Sequence, residues 1–333
     1  MIFYKQKWFK ILGSFFFAIF ILAAFFYLRF KPAEKIEWGL SFSESYVEYL
    51  GFDWKKTYLE VLDDLKPKKV RIMAYWEKLE PKQGEYDFQN VDFMLSEAQK
   101  RRVQILLIVG HKQPRWPECH HPAWYENLSQ KEKDQAVLVM LSEAVRHFQK
   151  FSNIAYWQLE NEPFFNYGPN CDPIGKELFK KELDVIKNLD PRPVVVTDSG
   201  EKGAWLPLAW AGGDIFGSTM YREAYYEKKG RYIKYPLPPV FYRVRAGMIR
   251  ALTSINEILG VELQAEPWFE QEIYHTSLEK QLQIMDLNKL NANINYAEKV
   301  GFKENYLWGA EWWYYMKQNN HPEFWERIKQ LNQ

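Results

Sequence analysis

Two glutamates that end strand-like segments are the residues of this chain best suited to do chemistry together. Glu162 lies near the end of Trp157–Pro163, and Glu266 ends Val261–Glu266. Successive side chains of a strand point to opposite faces, so each glutamate shares a face with the residues two and four positions before it. Those companions are all polar: Gln158 and Glu160 in the first segment, and Glu262 and Gln264 in the second.

If both polar faces point into one cavity, the two carboxyl groups lie at its rim, while Val261, Leu263 and Ala265 face outward. Cleavage of a glycosidic bond needs such a pair of carboxyl groups. One protonates the leaving oxygen, and the other attacks or stabilises the oxocarbenium-like centre. The alternative is that each glutamate is merely solvated or paired with an arginine. Two glutamates at equivalent positions favour the catalytic interpretation.

Eight strand-like segments alternate with helix-like segments after Lys35, and they predict how the glutamates are held. The strands begin near Ile36, Lys69, Val103, Ile154, Pro193, Asp214, Val261 and Asn305. Such alternation implies parallel pairing, because a crossover helix must return the chain. Eight units predict a closed (β/α)₈ barrel over residues 36–333, with chemistry where the strands end. An open doubly wound sheet is the alternative, but no glycine-rich phosphate loop follows the first strand.

The first 35 residues are of a different kind. Ile11–Leu28 is apolar apart from Gly13 and Ser14 and carries no charge. About 18 residues at 1.5 Å each almost cross a hydrocarbon core of roughly 30 Å. We interpret residues 1–35 as an uncleaved transmembrane anchor with the barrel outside the cytoplasm. A cleaved signal peptide, giving a secreted protein, and a buried globular helix are the alternatives.

Composition narrows the classes of partner. The formal net charge is +1 and no basic block is present, which argues against a nucleic-acid partner. Aromatic residues make up 17% of the chain. Most rings in any protein pack a core, but a surplus of this size also suits a cleft for sugars, whose apolar C–H faces pack on aromatic rings.

Two motifs give the chain a specific resemblance. Asn161-Glu162-Pro163 lies on the fourth strand, and about 80 residues upstream Trp76–Pro81 is followed by Gly84–Phe88, giving the pattern W-x-x-L-E-P-x-x-G-x-Y-D-F. The combination resembles clan A glycoside hydrolases, which are retaining β-glycosidases with a barrel fold. The similarity extends over all eight units, from about Ile36 to Met316.

The resemblance implies a role for each matching residue. Glu162 is expected to be the general acid/base and Glu266 the nucleophile. Arg71 is expected to lie beneath the nucleophile and lower its pKa, keeping it ionised. The substrate-binding residues implied are Asn161 at the sugar 2-hydroxyl, His111 and Tyr221 around the scissile bond, and Trp308 as the floor of the subsite.

Several weaker signals keep alternatives open. Glu311 on the eighth strand is a rival to Glu266, although period two places it on the face opposite Trp308. Cys119-His120-His121 is either a metal-binding motif or, as we expect, a surface loop without a metal. The tyrosine-rich segment Tyr221–Pro239 is either a lid over the cleft or a packed connection.

The two cysteines are predicted to meet. Cys119 follows the third strand and Cys171 follows the fourth. Loops after adjacent strands lie side by side on the catalytic face, so a disulfide there would be formed if the barrel lies in an oxidising compartment. Two unrelated thiols are the alternative.

These observations predict a retaining glycosidase that acts on β-linked oligo- or polysaccharide outside the cytoplasm. No cofactor is implied, and we expect a monomer attached to the membrane. The alternatives are a barrel hydrolase for other glycosides, a catalytically inactive sugar-binding protein and a membrane-tethered scaffold for a protein partner.

Overall fold

A computed structural model describes residues 2–169, 171–226 and 229–332. Ten strands are present in this part of the chain: β1 Glu37–Phe42, β2 Lys69–Met73, β3 Gln104–Val109, β4 Ile154–Leu159, β5 Val194–Asp198, β6 Ile215–Met220, β7 Glu223–Tyr226, β8 Arg231–Lys234, β9 Glu257–Gln264 and β10 Glu304–Trp308. Eight of them form a closed barrel in the order β1-β2-β3-β4-β5-β6-β9-β10, with every neighbour parallel. The predicted (β/α)₈ barrel is confirmed.

Helices cover the outside of the barrel. They are α1 Ile2–Arg29, α2 Glu44–Tyr49, α3 Trp54–Glu60, α4 Trp76–Leu79, α5 Gln89–Lys100, α6 Gln130–Phe148, α7 Lys176–Leu189, α8 Leu206–Ala211, α9 Pro239–Leu252, α10 Leu278–Ile284, α11 Leu287–Val300, α12 Ala310–Gln318 and α13 Glu323–Leu331. A π-helical turn at Val61–Leu65 and 3₁₀ turns at Ala123–Asn127 and Ile273–His275 complete the set. The short α8 lies in the fifth unit, where the sequence leaves least room for a helix.

The barrel has two apolar layers with a polar rim above them. The main core lies between strands and helices, and a smaller cluster fills the lower interior with Leu106, Val195, Ile215, Leu259, Val261 and Tyr306. Arg71 of β2 lies above this cluster, fully buried. The interior is therefore packed below and polar at the carboxyl ends of the strands, where the catalytic face of such a barrel is found.

The seventh barrel strand departs from the predicted pattern. β9 begins at Glu257 rather than near Val261, and one extra residue between Gly260 and Glu262 disrupts its register with both neighbours. A bulge of this kind re-aims side chains. The prediction that Val261 faces outward is therefore wrong, because its side chain packs in the interior cluster.

The N-terminal helix α1 is long and apolar enough to cross a membrane, judged by its length and composition. The aromatic side chains of Phe15, Phe16 and Phe20 are more than half exposed. Its last turns instead dock on the barrel, because Phe26 packs against α9 and Phe30 contacts Phe302. The helix is thus joined to the barrel by packing as well as by the chain.

Candidate active site

A cleft of about 570 Å³ opens at the carboxyl ends of the strands. That volume lies within the usual range for small-molecule sites. Its lining is aromatic and acidic: Trp116, Glu118, Asn161, Glu162, Phe165, Asn166, Tyr167, Gly168, Pro169, Ser199, Glu201, Lys202, Thr219, Tyr221, Ala224, Tyr225, Tyr226, Ile233, Tyr235, Glu262 and Trp268. Three of the predicted site residues, Asn161, Glu162 and Tyr221, line this cleft.

Glu262 of β9 is held at the centre of the site by an arginine and a tyrosine. The Arg71 Nη1 donates to Glu262 Oε1 at 2.8 Å, and the Tyr221 hydroxyl donates to Glu262 Oε2 at 3.1 Å. Arg71 is fully buried and Tyr221 is partly buried, and each oxygen of Glu262 has a directed partner. This arrangement keeps the carboxylate oriented.

Arg71 does not lie beneath Glu266 as predicted. Besides Glu262, it donates to Gln158 Oε1 at 2.8 Å and to Asn161 Oδ1 at 3.0 Å. The guanidinium thus joins β2, β4 and β9 below the cleft. The prediction fails because the Arg71 guanidinium lies beside Glu262, which precedes Glu266 by four residues in the chain.

Glu162, in the turn after β4, lines the same cleft as Glu262. Its backbone N–H donates to Thr197 Oγ1 at 3.1 Å, which holds the turn after β4 against β5. Burial raises the pKa of Glu162 well above its usual value, and the negative charges of Glu262, Asp198 and Glu118 raise it further. A raised pKa is the direction predicted for a general acid.

Two further glutamates in the cleft were not singled out by the sequence. Burial raises the pKa of Glu118 to about 8, and the charge of Glu262 adds to this effect. Glu201 accepts hydrogen bonds from the Tyr221 N–H, the Tyr242 hydroxyl and the Thr219 hydroxyl, at 2.6, 2.8 and 2.9 Å. Glu201 therefore positions Tyr221, whereas Glu118 faces the substrate space.

Glu266 lies in a separate ion-pair cluster beside the cleft. Arg115 donates to both oxygens of Glu266 and to Glu311 Oε2 at 2.6 Å. Burial raises the pKa of Glu266, although Arg115 opposes the shift. The predicted lowering of its pKa by Arg71 is thus wrong. Glu311, the rival carboxylate, belongs to the same cluster and accepts the Ser43 N–H.

Trp308 is covered rather than open. The Arg115 guanidinium carbon lies 4.2 Å from the centre of the Trp308 ring and 3.8 Å from that of Tyr46. Trp308 is only 6% exposed. Its predicted use as a floor for a sugar ring therefore requires Arg115 to leave this stacking position.

His111 points away from the cleft. Its Nδ1 lies 3.4 Å from Glu160 Oε1, and its ring packs near Tyr125. Glu160 does not share an inward face with Glu162, because β4 ends at Leu159 and both glutamates have left-handed backbones, with φ of 57° and 47°. Strand alternation cannot be extended through such residues, and the carboxyl group of Glu160 instead accepts two backbone N–H groups of the β3 loop.

Two walls of the cleft come from loops. Cys119 and Cys171 form a disulfide with a Cα–Cα distance of 5.4 Å, which confirms the predicted pairing. The segment Tyr221–Pro239 contains the antiparallel pair β7 and β8, and its aromatic side chains line the cleft. It is anchored to the opposite wall because the Tyr232 hydroxyl donates to the Trp268 carbonyl at 3.0 Å.

The two neighbouring histidines have ordinary partners. His120 is buried, with Nδ1 3.2 Å from Glu77 and Nε2 3.0 Å from the Arg115 carbonyl. His121 Nε2 lies 3.3 Å from Glu126. The expectation of a surface loop is wrong for His120, because its side chain is buried.

Comparisons with known proteins agree with this geometry. Residues 53–137 match the family model of glycoside hydrolase family 42, described as beta-galactosidase. No curated protein matches the sequence. The parallel barrel and the solved structures described next agree with this match. These findings support a clan A glycoside hydrolase.

Solved structures of glycoside hydrolases share the barrel fold with this chain. Xylanase 10B from Thermotoga petrophila RKU-1 matches with a TM-score of 0.54 and 16% identity, over 83% of this chain and 82% of that one. A GH5_18 protein from Bifidobacterium longum subsp. longum matches with a TM-score of 0.60 and 11% identity, over 83% and 70%. Xylanase 10B from Thermotoga maritima matches with a TM-score of 0.54 and 17% identity, over 86% and 84%.

Proposed function

We propose that this protein is a retaining β-glycosidase in which Glu162 is the general acid/base and Glu262, in place of Glu266, is the nucleophile. The observation that carries the proposal is the pair of directed hydrogen bonds from Arg71 and Tyr221 to Glu262. Glu262 lines the cleft, whereas Glu266 lies outside its lining and is paired with Arg115. A nucleophile must reach the anomeric carbon, and Glu262 shares the cleft with Glu162 whereas Glu266 does not line it.

The proposed reaction has two steps. Glu262 attacks the anomeric carbon and forms an ester bond to it, while the glycosidic bond breaks and the leaving oxygen takes the proton of Glu162. A water molecule then gives a proton to Glu162 and attacks the same carbon, which releases Glu262. Arg71 and Tyr221 keep Glu262 oriented, and Asn161 is placed to bind the hydroxyl next to the anomeric carbon.

Trapping the covalent intermediate identifies the nucleophile. The full chain in detergent is screened on aryl β-glycosides and polysaccharides, and the active sugar is then supplied as its 2-deoxy-2-fluoro glycoside. Tandem mass spectrometry should place the sugar on Glu262. A label on Glu266 would restore the sequence-based assignment, and a product of inverted configuration in NMR would reject the mechanism.

Chemical rescue tests both roles. Glu262→Ala should lose at least about 10³-fold in kcat, and azide should restore turnover with a glycosyl azide of inverted configuration. Glu162→Ala should retain most activity on substrates with good leaving groups, because they need no acid. Glu266→Ala is the matched control and should keep the mechanism.

Absence of activity on every substrate, with sugar binding retained, would instead support the inactive sugar-binding alternative.

We further propose that α1 anchors the barrel outside the cytoplasm and that the substrate is an extracytoplasmic oligo- or polysaccharide. Support comes from the exposed apolar surface of α1 and from the disulfide, which persists in oxidising compartments. Protease added to intact cells should digest the barrel only if it lies outside. Digestion only after lysis, or two free thiols in the purified chain, would contradict this location.

A further inference from the structure

Three buried side chains converge behind the cleft and take no part in the proposed reaction. His111 follows β3, Glu160 follows β4, and Glu182 lies on α7. One ligand atom from each, the His111 Nδ1 and a carboxylate oxygen of each glutamate, lies within 4.8 Å of the other two. Glu160 and Glu182 are fully buried, and His111 is 8% exposed.

Three polar atoms of this cluster lack hydrogen-bond partners. Within the described residues, neither oxygen of Glu182 has one, and neither does the His111 Nδ1. A buried carboxylate without a partner is costly, because it has lost its hydration without compensation. The ammonium group of Lys112 donates to the Phe165 carbonyl and thus serves neither carboxylate. The cluster therefore calls for a partner of positive charge.

The spacing suits an ion between the ligands. A direct bond between two carboxyl groups needs an O–O distance of about 2.5–3.0 Å, and no such bond joins Glu182 to Glu160. Ligands held about 2.1 Å from a tetrahedral ion lie about 3.4 Å from one another. His111 Nδ1 and Glu160 Oε1 are 3.4 Å apart.

Two backbone N–H groups hold the carboxyl group of Glu160 in place. The His111 N–H donates to its Oε1 at 3.0 Å, and the Lys112 N–H donates to its Oε2 at 2.5 Å. Gly110 has a φ of +127°, and a Cβ there would lie 2.4 Å from this carboxyl group. A carboxylate has about four lone-pair sites, so two bonds to N–H groups leave it able to bind an ion.

We propose that His111, Glu160 and Glu182 bind one divalent transition-metal ion, Zn²⁺ or Mn²⁺. An imidazole nitrogen with two carboxylates suits these ions, whereas Ca²⁺ and Mg²⁺ prefer oxygen ligands alone. The ion ties the ends of β3 and β4 to α7, directly before the turn that carries Glu162. Its role is structural, because its ligands lie outside the cleft lining.

Metal analysis of the full chain tests the proposal. After dialysis against chelator, the protein in detergent is titrated separately with Zn²⁺, Mn²⁺ and Ca²⁺. We expect one Zn²⁺ or Mn²⁺ per chain, a rise in Tm on binding, and no response to Ca²⁺. Glu182→Gln keeps the shape of the side chain and should weaken binding at least about 100-fold. Glu177→Gln, on the exposed side of the same helix, is the matched control.

Each result has a definite meaning. Binding that is equal in wild type and Glu182→Gln would overturn the proposal, as would no binding together with a Tm unaffected by chelator. If Glu182→Gln does not fold, nitrogen coupling in the pulsed EPR spectrum of bound Mn²⁺ reports ligation by His111, and its absence would overturn the site. These readouts use no substrate, so they stay distinct from a failure of the proposed glycosidase activity.

Discussion

At the residue scale, the candidate site is defined by which carboxyl group is paired with which arginine side chain. Arg71 is directed to Glu262, and Arg115 is directed to Glu266 and Glu311. The cleft itself holds Glu118, Glu162, Glu201 and Glu262, with Lys202 as the single lysine or arginine of its lining within the described residues. An excess of carboxyl groups in a confined space raises pKa values, because ionising one disfavours ionising the next.

Glu118→Gln should change the pH dependence of stability. The pKa of Glu118 is raised to about 8 in the folded chain, chiefly by burial. The folded state therefore keeps a proton that the unfolded state releases near its ordinary value of about 4.3, and wild-type stability falls as pH rises between these values. At pH 8.5 the variant should be more stable, with a Tm higher by at least about 3 °C.

At pH 4 the two proteins should melt alike, because Glu118 is then protonated in both states. Glu270→Gln, an exposed glutamate on the same face, is the control and should show no such pH dependence. Thermal unfolding followed by circular dichroism across pH 4–9 measures the effect. A Tm difference between wild type and variant that does not change with pH would contradict a raised pKa of Glu118.

At the element scale, loops rather than strands shape the cleft. The β3 loop contributes Trp116 and Glu118, and the β4 loop contributes Phe165–Pro169. The Cys119–Cys171 bridge joins these two loops. The β7–β8 hairpin supplies the facing wall. Loops vary more readily than the barrel strands, so the identity of the sugar depends on them.

Removing the bridge with Cys119→Ala and Cys171→Ala should destabilise the barrel. The disulfide closes a loop of 52 residues. In the chain-entropy model this lowers the entropy of the unfolded chain and so raises its free energy by about 4 kcal/mol. Urea unfolding in detergent measures the loss. We also expect KM to rise more than kcat falls, because the wall moves while Glu162, in the turn after β4, and Glu262, on β9, stay in place. Unchanged stability and KM would show that packing alone holds the two loops.

At the scale of the whole molecule, the N-terminal helix and the barrel form one packed unit. A Cβ at Gly247 of α9 would lie 1.7 Å from the backbone oxygen of Phe26. Arg243 of the same helix donates to the Tyr27 hydroxyl at 3.1 Å. Because α1 docks in this way, the barrel is held in a set orientation relative to the helix.

Gly247→Ala should loosen this docking. The added methyl group forces the two backbones apart, at a cost of about 1–3 kcal/mol. Hydrogen exchange should rise in residues 24–34, while kcat stays unchanged because the cleft lies at the strand ends. Gly175→Ala, where a Cβ meets nothing within 4 Å, is the control. Unaltered exchange in the Gly247 variant would mean that α1 does not dock.

The sequence by itself determined the elements and their order. Seven of the eight barrel strands begin within one residue of the predicted positions. Alternation of apolar and polar residues is a local property, and parallel pairing follows from the intervening helices. The same local pattern placed Glu162 at the cleft and brought Cys119 near Cys171, whereas Asn161 and Tyr221 were implied by the family resemblance.

Only the tertiary structure decided which groups act together. The bulge in β9 and the left-handed Glu160 and Glu162 break the alternation on which the sequence-based assignment of Glu266 and Glu160 depended. Arg115 pairs with a residue 151 positions away, and no local pattern encodes such a pairing. Ion pairs depend on distance in space, whereas strand patterns depend on distance along the chain. For that reason the sequence located the rim, and the fold paired Glu262 with Arg71 and Tyr221 within it.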